Sequence, residues 1–204
     1  MIDLQKIAAT PKKSDPFPYL IVKNAFDDGR MSGLLNDFPT ISHPGSVPVE
    51  AVEGGPAFGE LIDDLNGDEF RREIEKKFDM DLENKPIMTT VRGVMREKDG
   101  RIHTDSKSKV ITVLIYFNEG WEDSSGNLRL LRNGTDLEDY VEEISPEAGT
   151  MLIFKVTDNC WHGHKPVVGK RLSLQMNYMA GDAAKGKHEF LHRLSARVKK
   201  LFSK

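Results

Sequence analysis

From residue 87 onward, the sequence is a succession of short strand-forming runs separated by polar turns. These runs occupy residues 87–95, 109–117, 128–131, 140–144, 150–156 and 172–179. Glycine-containing turn signals, such as Asp99-Gly100 and Asn133-Gly134, stand between them. Many short strands with polar turns predict a β-sandwich or a jelly roll.

The region before Pro86 has a different pattern. Residues 19–22 predict a short strand, and residues 26–38 predict an amphipathic helix that begins near Asp27 or Asp28. Residues 39–58 are rich in proline and glycine and predict a loop. Residues 68–78 predict a second helix, because Phe70, Ile74 and Phe78 recur at four-residue spacing. Two helices placed before the strands are expected to cover one sheet.

The last segment, residues 185–204, is basic and carries apolar residues at helical spacing. It predicts a C-terminal helix that packs on the rest of the protein, with contact to an anionic partner or membrane surface as the alternative. The overall prediction is a mostly β protein with flanking helices (α+β). A single domain is expected over 1–204, with a helical support of about 1–86, a core of about 87–180 and a basic helix of about 185–204.

Composition narrows the class of protein. A chain of 204 residues with 38% hydrophobic and 30% charged residues is expected to be one soluble globular domain. The net charge of -3 gives no general attraction to nucleic acid, so no nucleic-acid partner is expected. The single cysteine, Cys160, excludes an internal disulfide and a cysteine-rich metal cluster. We find no signal-peptide pattern and no transmembrane run, so the cytoplasm is the expected location.

Four residues predict a metal site. His103 and Asp105 are separated by one residue, which places both side chains on one face of an extended segment. His162 follows about one sheet circuit later, and Arg171 comes nine residues after His162. Two histidines and one carboxylate can occupy one face of an octahedral Fe(II) and leave three positions open for a co-substrate and O2. We therefore predict His103, Asp105 and His162 as metal ligands and catalytic residues.

The neighbouring residues are suited to bind a dicarboxylate such as 2-oxoglutarate. Arg171 offers a rigid, permanently charged fork for the distal carboxylate. Ser173 lies two residues further on the same strand face, and Tyr116 can add a phenolic donor. Thr112 is four positions before Tyr116 and shares its face. These four residues are predicted to bind the co-substrate.

Segment 100–178 resembles the catalytic core of the 2-oxoglutarate and Fe(II)-dependent oxygenase superfamily, with the prolyl-hydroxylase-like branch as the nearest subgroup. The matching motifs are Ile102-His103-Thr104-Asp105, Tyr116-Phe117-Asn118-Glu119-Gly120-Trp121, Gly126-Asn127-Leu128-Arg129-Leu130, Gly149-Thr150-Met151-Leu152-Ile153-Phe154, Trp161-His162-Gly163-His164 and Lys170-Arg171-Leu172-Ser173. The lead-in Pro16-Phe17-Pro18-Tyr19 and the segment Asn36-Asp37-Phe38-Pro39 are also similar to that branch.

The resemblance implies a double-stranded β-helix, or jelly roll, with helices packed on its major sheet. It implies Fe(II), 2-oxoglutarate and O2 as cofactor and co-substrates, with ascorbate as a supporting reductant. It assigns the metal to His103, Asp105 and His162. The nine-residue step to Arg171 favours His162 over His164, which then faces substrate or supports the ligands. Aspartate at 105 favours hydroxylation, because related halogenases have a small residue there.

Three interpretations remain at this stage. The first is a dioxygenase that hydroxylates an amino-acid residue, a peptidyl residue or a small metabolite and releases succinate and CO2. The alternatives are a cupin-like metal protein without a 2-oxo acid and a non-catalytic jelly-roll binding module. Residues expected near the mouth of the pocket, or else in ordinary packing, are Arg92, Met95, Trp121 and Asn127. The sequence does not predict the substrate or the oligomeric state.

Overall fold

A computed structural model describes residues 1–181 of the chain. Its larger sheet has six strands in the order β1-β7-β4-β9-β3-β2, and all of its pairings are antiparallel. The strands are β1 (Tyr19–Val22), β2 (Val47–Pro48), β3 (Ile87–Met95), β4 (Lys109–Tyr116), β7 (Met151–Lys155) and β9 (Gly169–Met179). Strands far apart in the sequence are therefore neighbours in this major sheet.

The smaller sheet has three strands in the order β6-β5-β8. They are β5 (Leu128–Leu131), β6 (Tyr140–Ile144) and β8 (His162–Gly163). The segment that contains His103 extends this sheet, because the backbones of His103 and His162 exchange two hydrogen bonds of 3.0 and 2.9 Å. The minor sheet thus ends at the two histidines of the predicted metal site.

Four helices lie among residues 1–181, namely α1 (Leu4–Ala9), α2 (Arg30–Asp37), α3 (Pro56–Asn66) and α4 (Asp68–Phe78). Their buried residues share a hydrophobic cluster with one face of the major sheet. On β9 that face carries Leu174, Met176 and Tyr178. A second cluster, which includes Tyr116, Leu130 and Phe154, fills the space between the two sheets. Because side chains alternate along a strand, Arg171 and Ser173 point toward the minor sheet.

This architecture confirms the predicted jelly roll with helices on its major sheet. Each strand run predicted from the sequence forms a strand, although β9 begins at Gly169 rather than at Leu172. The helix predicted over 68–78 has those limits, whereas the one predicted over 26–38 begins only at Arg30. The prediction of a loop over 39–58 is wrong in two places, because β2 (Val47–Pro48) pairs with β3 and α3 begins at Pro56.

Two further points concern the ends of the chain. Helix α1 was not predicted, and it begins after Asp3, whose carboxylate accepts a hydrogen bond from the backbone N–H of Lys6. The helix predicted over 185–204 lies outside the described residues. Among residues 1–181, no helix combines the length and the apolar character that a membrane crossing needs.

Candidate active site

The three predicted metal ligands converge at the open edge of the minor sheet. One ligand atom from each of His103, Asp105 and His162 lies within 4.8 Å of the other two. The two imidazole rings are 4.3 Å apart between centroids. His103 is exposed, whereas His162 and Asp105 are buried. The cluster therefore has one side in the protein and one side open to solvent.

Both histidines present the same nitrogen to the cluster. Nδ1–H of His103 can donate to the carbonyl of Arg101, and Nδ1–H of His162 to that of Cys160, each at 2.8 Å. In that tautomer, Nε2 of each ring keeps its lone pair for a metal. The ring of Phe154 packs edge-on against His162 at 5.3 Å. Burial lowers the pKa of His162 to about 4, so its imidazole is neutral near pH 7.

Asp105 is held through both of its carboxylate oxygens. Lys109 forms an ion pair with Oδ1 at 3.1 Å, and the hydroxyl of Thr112 on β4 donates to Oδ2. Burial acts to raise the pKa of Asp105, but the charge of Lys109 and the hydrogen bond from Thr112 keep it below its usual value. Asp105 is therefore an anion near pH 7, as a metal ligand must be.

This donor set fits Fe(II). Two neutral imidazole nitrogens and one carboxylate oxygen form the facial arrangement that leaves three coordination positions free. Because His103 is exposed, a metal held by these residues would be accessible from solvent.

Arg171 is buried on the inner face of the major sheet, with 4% of its surface exposed. Its Nε donates to the carbonyl of Gly126 at 3.0 Å, and its guanidinium lies 4.9 Å from the ring centre of Tyr116. The Nη2 atom is 3.4 Å from the Tyr116 hydroxyl. Within residues 1–181, no carboxylate forms an ion pair with it. A buried guanidinium without an acidic partner is suited to bind an anion.

The other predicted co-substrate residues divide into two groups. Ser173 and Tyr116 are directly opposite each other on β9 and β4, so their side chains share the inner face with Arg171. Burial raises the pKa of Tyr116, which keeps its phenol protonated and able to donate. Thr112 instead contacts Asp105 and, at 3.1 Å, the side-chain amide oxygen of Asn177. Its contacts favour support of the carboxylate ligand over contact with the co-substrate.

His164 is placed beside the metal cluster rather than in it. Its Nδ1–H can donate to the carbonyl of Lys165 at 2.7 Å, and its backbone N–H donates to Gly100 at 2.8 Å. A Cβ at Gly100, whose φ is +86°, would stand 2.3 Å from the His164 ring. Burial lowers the pKa of His164 to about 4, and the positive charge of Arg171 acts in the same direction.

Two residues that hold the site's side chains in place were not predicted from the sequence. Lys109 pairs with Asp105 four residues earlier, a spacing that carries no signal outside a helix. The carbonyl of Gly126 fixes Arg171, and the Trp121 ring covers this glycine so closely that a Cβ would lie 2.3 Å from it. The motif at residues 126–130 indicated that this segment belongs to the core but did not predict its contact with Arg171. Among residues 1–181, the buried side-chain oxygen of Asn127 has no hydrogen-bond partner.

The comparisons with known proteins agree with this geometry. Residues 93–179 match the family model described as the 2OG-Fe(II) oxygenase superfamily. No curated protein sequence matches the chain.

Solved structures of the same fold include a Pseudomonas putida prolyl-4-hydroxylase, with 16% identity and a TM-score of 0.58 over 88% of this chain and 97% of that one. The viral collagen prolyl hydroxylase of Paramecium Bursaria Chlorella virus-1, solved with 2OG, has 15% identity and a TM-score of 0.58 over 83% and 99% of the two chains. An oxidoreductase of the 2OG-Fe(II) oxygenase family from Burkholderia pseudomallei has 13% identity and a TM-score of 0.55, over 79% and 84%.

The family match includes both predicted ligand motifs, since it begins before His103 and ends after Arg171. Residues 93–179 of the jelly-roll core thus match the 2OG-Fe(II) oxygenase superfamily, as the motifs of this segment predicted, and the match supports a dioxygenase that uses Fe(II), 2-oxoglutarate and O2.

Proposed function

We propose that the protein hydroxylates an amino-acid residue, free or within a peptide, or a small metabolite, with release of succinate and CO2. The observation that carries the proposal is the cluster of His103, Asp105 and His162 within 4.8 Å, in a jelly roll that also buries Arg171 without an acidic partner among residues 1–181. A reducing compartment such as the cytoplasm, which keeps iron ferrous, is part of the proposal.

In this mechanism, His103 and His162 would hold Fe(II) through Nε2, and Asp105 would hold it through a carboxylate oxygen. Fe(II) with 2-oxoglutarate and O2 would supply the oxidising chemistry when bound. Arg171 holds the distal carboxylate of 2-oxoglutarate and thereby sets the distance between its 2-oxo end and the metal. Tyr116 and Ser173 are placed to donate hydrogen bonds to the same carboxylate.

The side chains around the site keep these groups in place and keep water out. Phe154 and Leu152 of β7 and Leu130 of β5 are buried between the sheets. Arg171 is itself buried, and its attraction for a carboxylate is stronger there than in water.

The test is the formation of succinate from 2-oxoglutarate with Fe(II) and ascorbate, together with Mn(II) binding followed by electron paramagnetic resonance. His103→Ala and Asp105→Ala are expected to lose Mn(II) affinity and turnover. His43→Ala, which removes an exposed histidine, is the matched control and should keep both. Full turnover by the Asp105→Ala protein would refute the ligand assignment.

Arg171→Gln separates the co-substrate role from the metal role. We expect unchanged Mn(II) affinity and a KM for 2-oxoglutarate raised at least about tenfold, because the distal carboxylate loses its charged partner. Mn(II) binding without any 2-oxoglutarate turnover or N-oxalylglycine binding would instead favour the cupin-like alternative.

A further inference from the structure

A second arginine shares the inner face of the major sheet with Arg171. Arg92 on β3 is directly opposite Ser173 on β9, and Ser173 is directly opposite Tyr116 on β4. The three residues therefore form one row across the sheet on the side that faces the proposed co-substrate. Val91, which precedes Arg92, belongs to the hydrophobic cluster under the helices. Since side chains alternate along a strand, Arg92 faces the opposite side of the sheet.

The guanidinium of Arg92 has only neutral partners among residues 1–181. Its Nη2 donates to the hydroxyl of Ser46 at 3.0 Å, and its Nη1 is 3.9 Å from the sulfur of Met95. Asp99, whose charge acts on the pKa of Arg92, is already bound by the side chain and the backbone N–H of Arg96. Arg92 therefore has donor capacity that no carboxylate of the described chain uses.

The burial of Arg92 makes its positive charge energetically unfavourable unless an anion binds to it. Burial lowers the pKa of Arg92, and the positive charge of Arg171 lowers it further, against the opposing effect of Asp99. Two partly or fully buried cations on one face of the sheet form a site that two anions can occupy.

This inference rests on the proposed function, in which the anion at Arg171 is the distal carboxylate of 2-oxoglutarate. The co-substrate has no second distal carboxylate for Arg92. We propose that Arg92 binds a carboxylate of the substrate itself, so that the substrate is a small carboxylic acid such as a free amino acid. A carboxylate fits one guanidinium and one hydroxyl from Ser46 better than a phosphate dianion, which attracts several cations. An internal residue of a peptide offers no such main-chain group.

The substrate class is tested by binding to the protein loaded with Mn(II) and N-oxalylglycine. The probes are the twenty L-amino acids, their carboxamides, and the same residues blocked as N-acetyl amides, measured by saturation-transfer NMR and calorimetry. At least one free acid is expected to bind, and its carboxamide should bind about tenfold more weakly or worse, because a site built for a polar group rejects the analogue that lacks it.

Arg92→Gln is expected to remove the preference for the acid over the carboxamide and to keep N-oxalylglycine affinity within about twofold. Arg92→Lys should retain part of the preference, since it keeps the charge but loses the planar fork. Arg72→Gln is the matched control, because Arg72 lies on α4 and is exposed. Retained N-oxalylglycine binding shows that each variant is folded.

Three results would overturn the substrate assignment. They are equal binding of acid and carboxamide by the wild-type protein, tighter binding of the blocked residues, and no binding of any free acid while N-oxalylglycine binds. Failure of N-oxalylglycine to bind the wild-type protein would be a different outcome, since it would overturn the proposed function beneath the inference.

Discussion

Each proposed metal ligand is oriented by a group that does not itself reach the cluster. The two imidazoles are oriented by the backbone carbonyls of Arg101 and Cys160. The carboxylate of Asp105 is oriented by Lys109, the first residue of β4, and by Thr112, three residues further along that strand. Such partners fix the angle at which a ligand meets the ion, so their loss weakens metal binding without removing a ligand.

Thr112→Val tests this support at Asp105. Valine keeps the shape of the side chain but removes the hydroxyl that donates to Oδ2. We expect a roughly 10- to 100-fold loss of Mn(II) affinity, measured by electron paramagnetic resonance. Thr112→Ser keeps the hydroxyl and is the matched control. Equal Mn(II) affinity in all three proteins would show that Thr112 does not position the carboxylate.

The buried histidines make the metal-free protein sensitive to acid. Burial lowers the pKa of His162 and that of His164 to about 4, from the usual value of 6.5. Between these pH values the unfolded chain binds protons that the folded chain does not bind, so the free energy of unfolding falls as pH falls through 6.5 toward 4. At pH 5 the loss is ~2 kcal/mol per histidine relative to pH 7.

His164→Gln should remove the share of this acid sensitivity that belongs to His164. Urea unfolding of the metal-free proteins at pH 7 and pH 5 gives the free energy of unfolding at each pH. The wild-type protein is expected to lose about 2 kcal/mol more than His164→Gln over this interval. His43→Gln controls for the loss of an exposed imidazole. Parallel losses in wild type and His164→Gln would contradict the burial argument.

The clustering of His103, Asp105 and His162 could be predicted from the sequence, whereas most of the contacts that support these residues could not. His103 and Asp105 stand two residues apart, so a local strand periodicity is enough to bring them together. The contact between Thr112 and Asp105 depends on how the loop after Asp105 returns to β4, and the row from Arg92 to Tyr116 depends on strand order. No local sequence pattern predicts either of these contacts.

At the level of whole elements, the strands were easier to predict than the helices. Runs such as 87–95 and 128–131 carry β-branched or apolar residues between turn signals, so their limits are local. Helix α3 starts at Pro56 after Gly55, with no side chain of its own at the cap. The N–H of Ala57 instead donates to the carboxylate of Asp37, twenty residues earlier, at 2.7 Å. A cap supplied by another helix cannot be predicted from the local sequence.

Asp37→Ala is therefore expected to destabilise α3. It leaves a backbone N–H in the first turn without its partner, which typically costs about 1 kcal/mol. Urea unfolding should show a lower midpoint with an unchanged slope, and Mn(II) affinity should stay the same because α3 lies on the outer face of the major sheet. Asp37→Asn, which keeps an accepting oxygen, is expected to recover most of the loss. A midpoint equal to that of the wild type would contradict the capping role.

For the molecule as a whole, we propose that the helical part and the jelly roll form one cooperative unit, as the predicted single domain requires. Buried residues of α3 and α4, such as Leu61 and Ile74, share a cluster with Val113 of β4 and Met176 of β9. The chain before residue 86 also supplies both edge strands of the major sheet, β1 and β2. Neither part can bury its apolar face without the other.

Coincident unfolding transitions are the expected result of this shared core. Both tryptophans, Trp121 and Trp161, lie in the jelly-roll part, whereas α1 to α4 precede it. Tryptophan fluorescence and far-UV circular dichroism at 222 nm therefore report different parts of the chain. The two signals should share one urea midpoint. Leu61→Ala, which truncates a fully buried residue of α3, should lower both midpoints together by the equivalent of 2–5 kcal/mol. A change confined to the helical signal would show that the jelly roll folds without its helical cover.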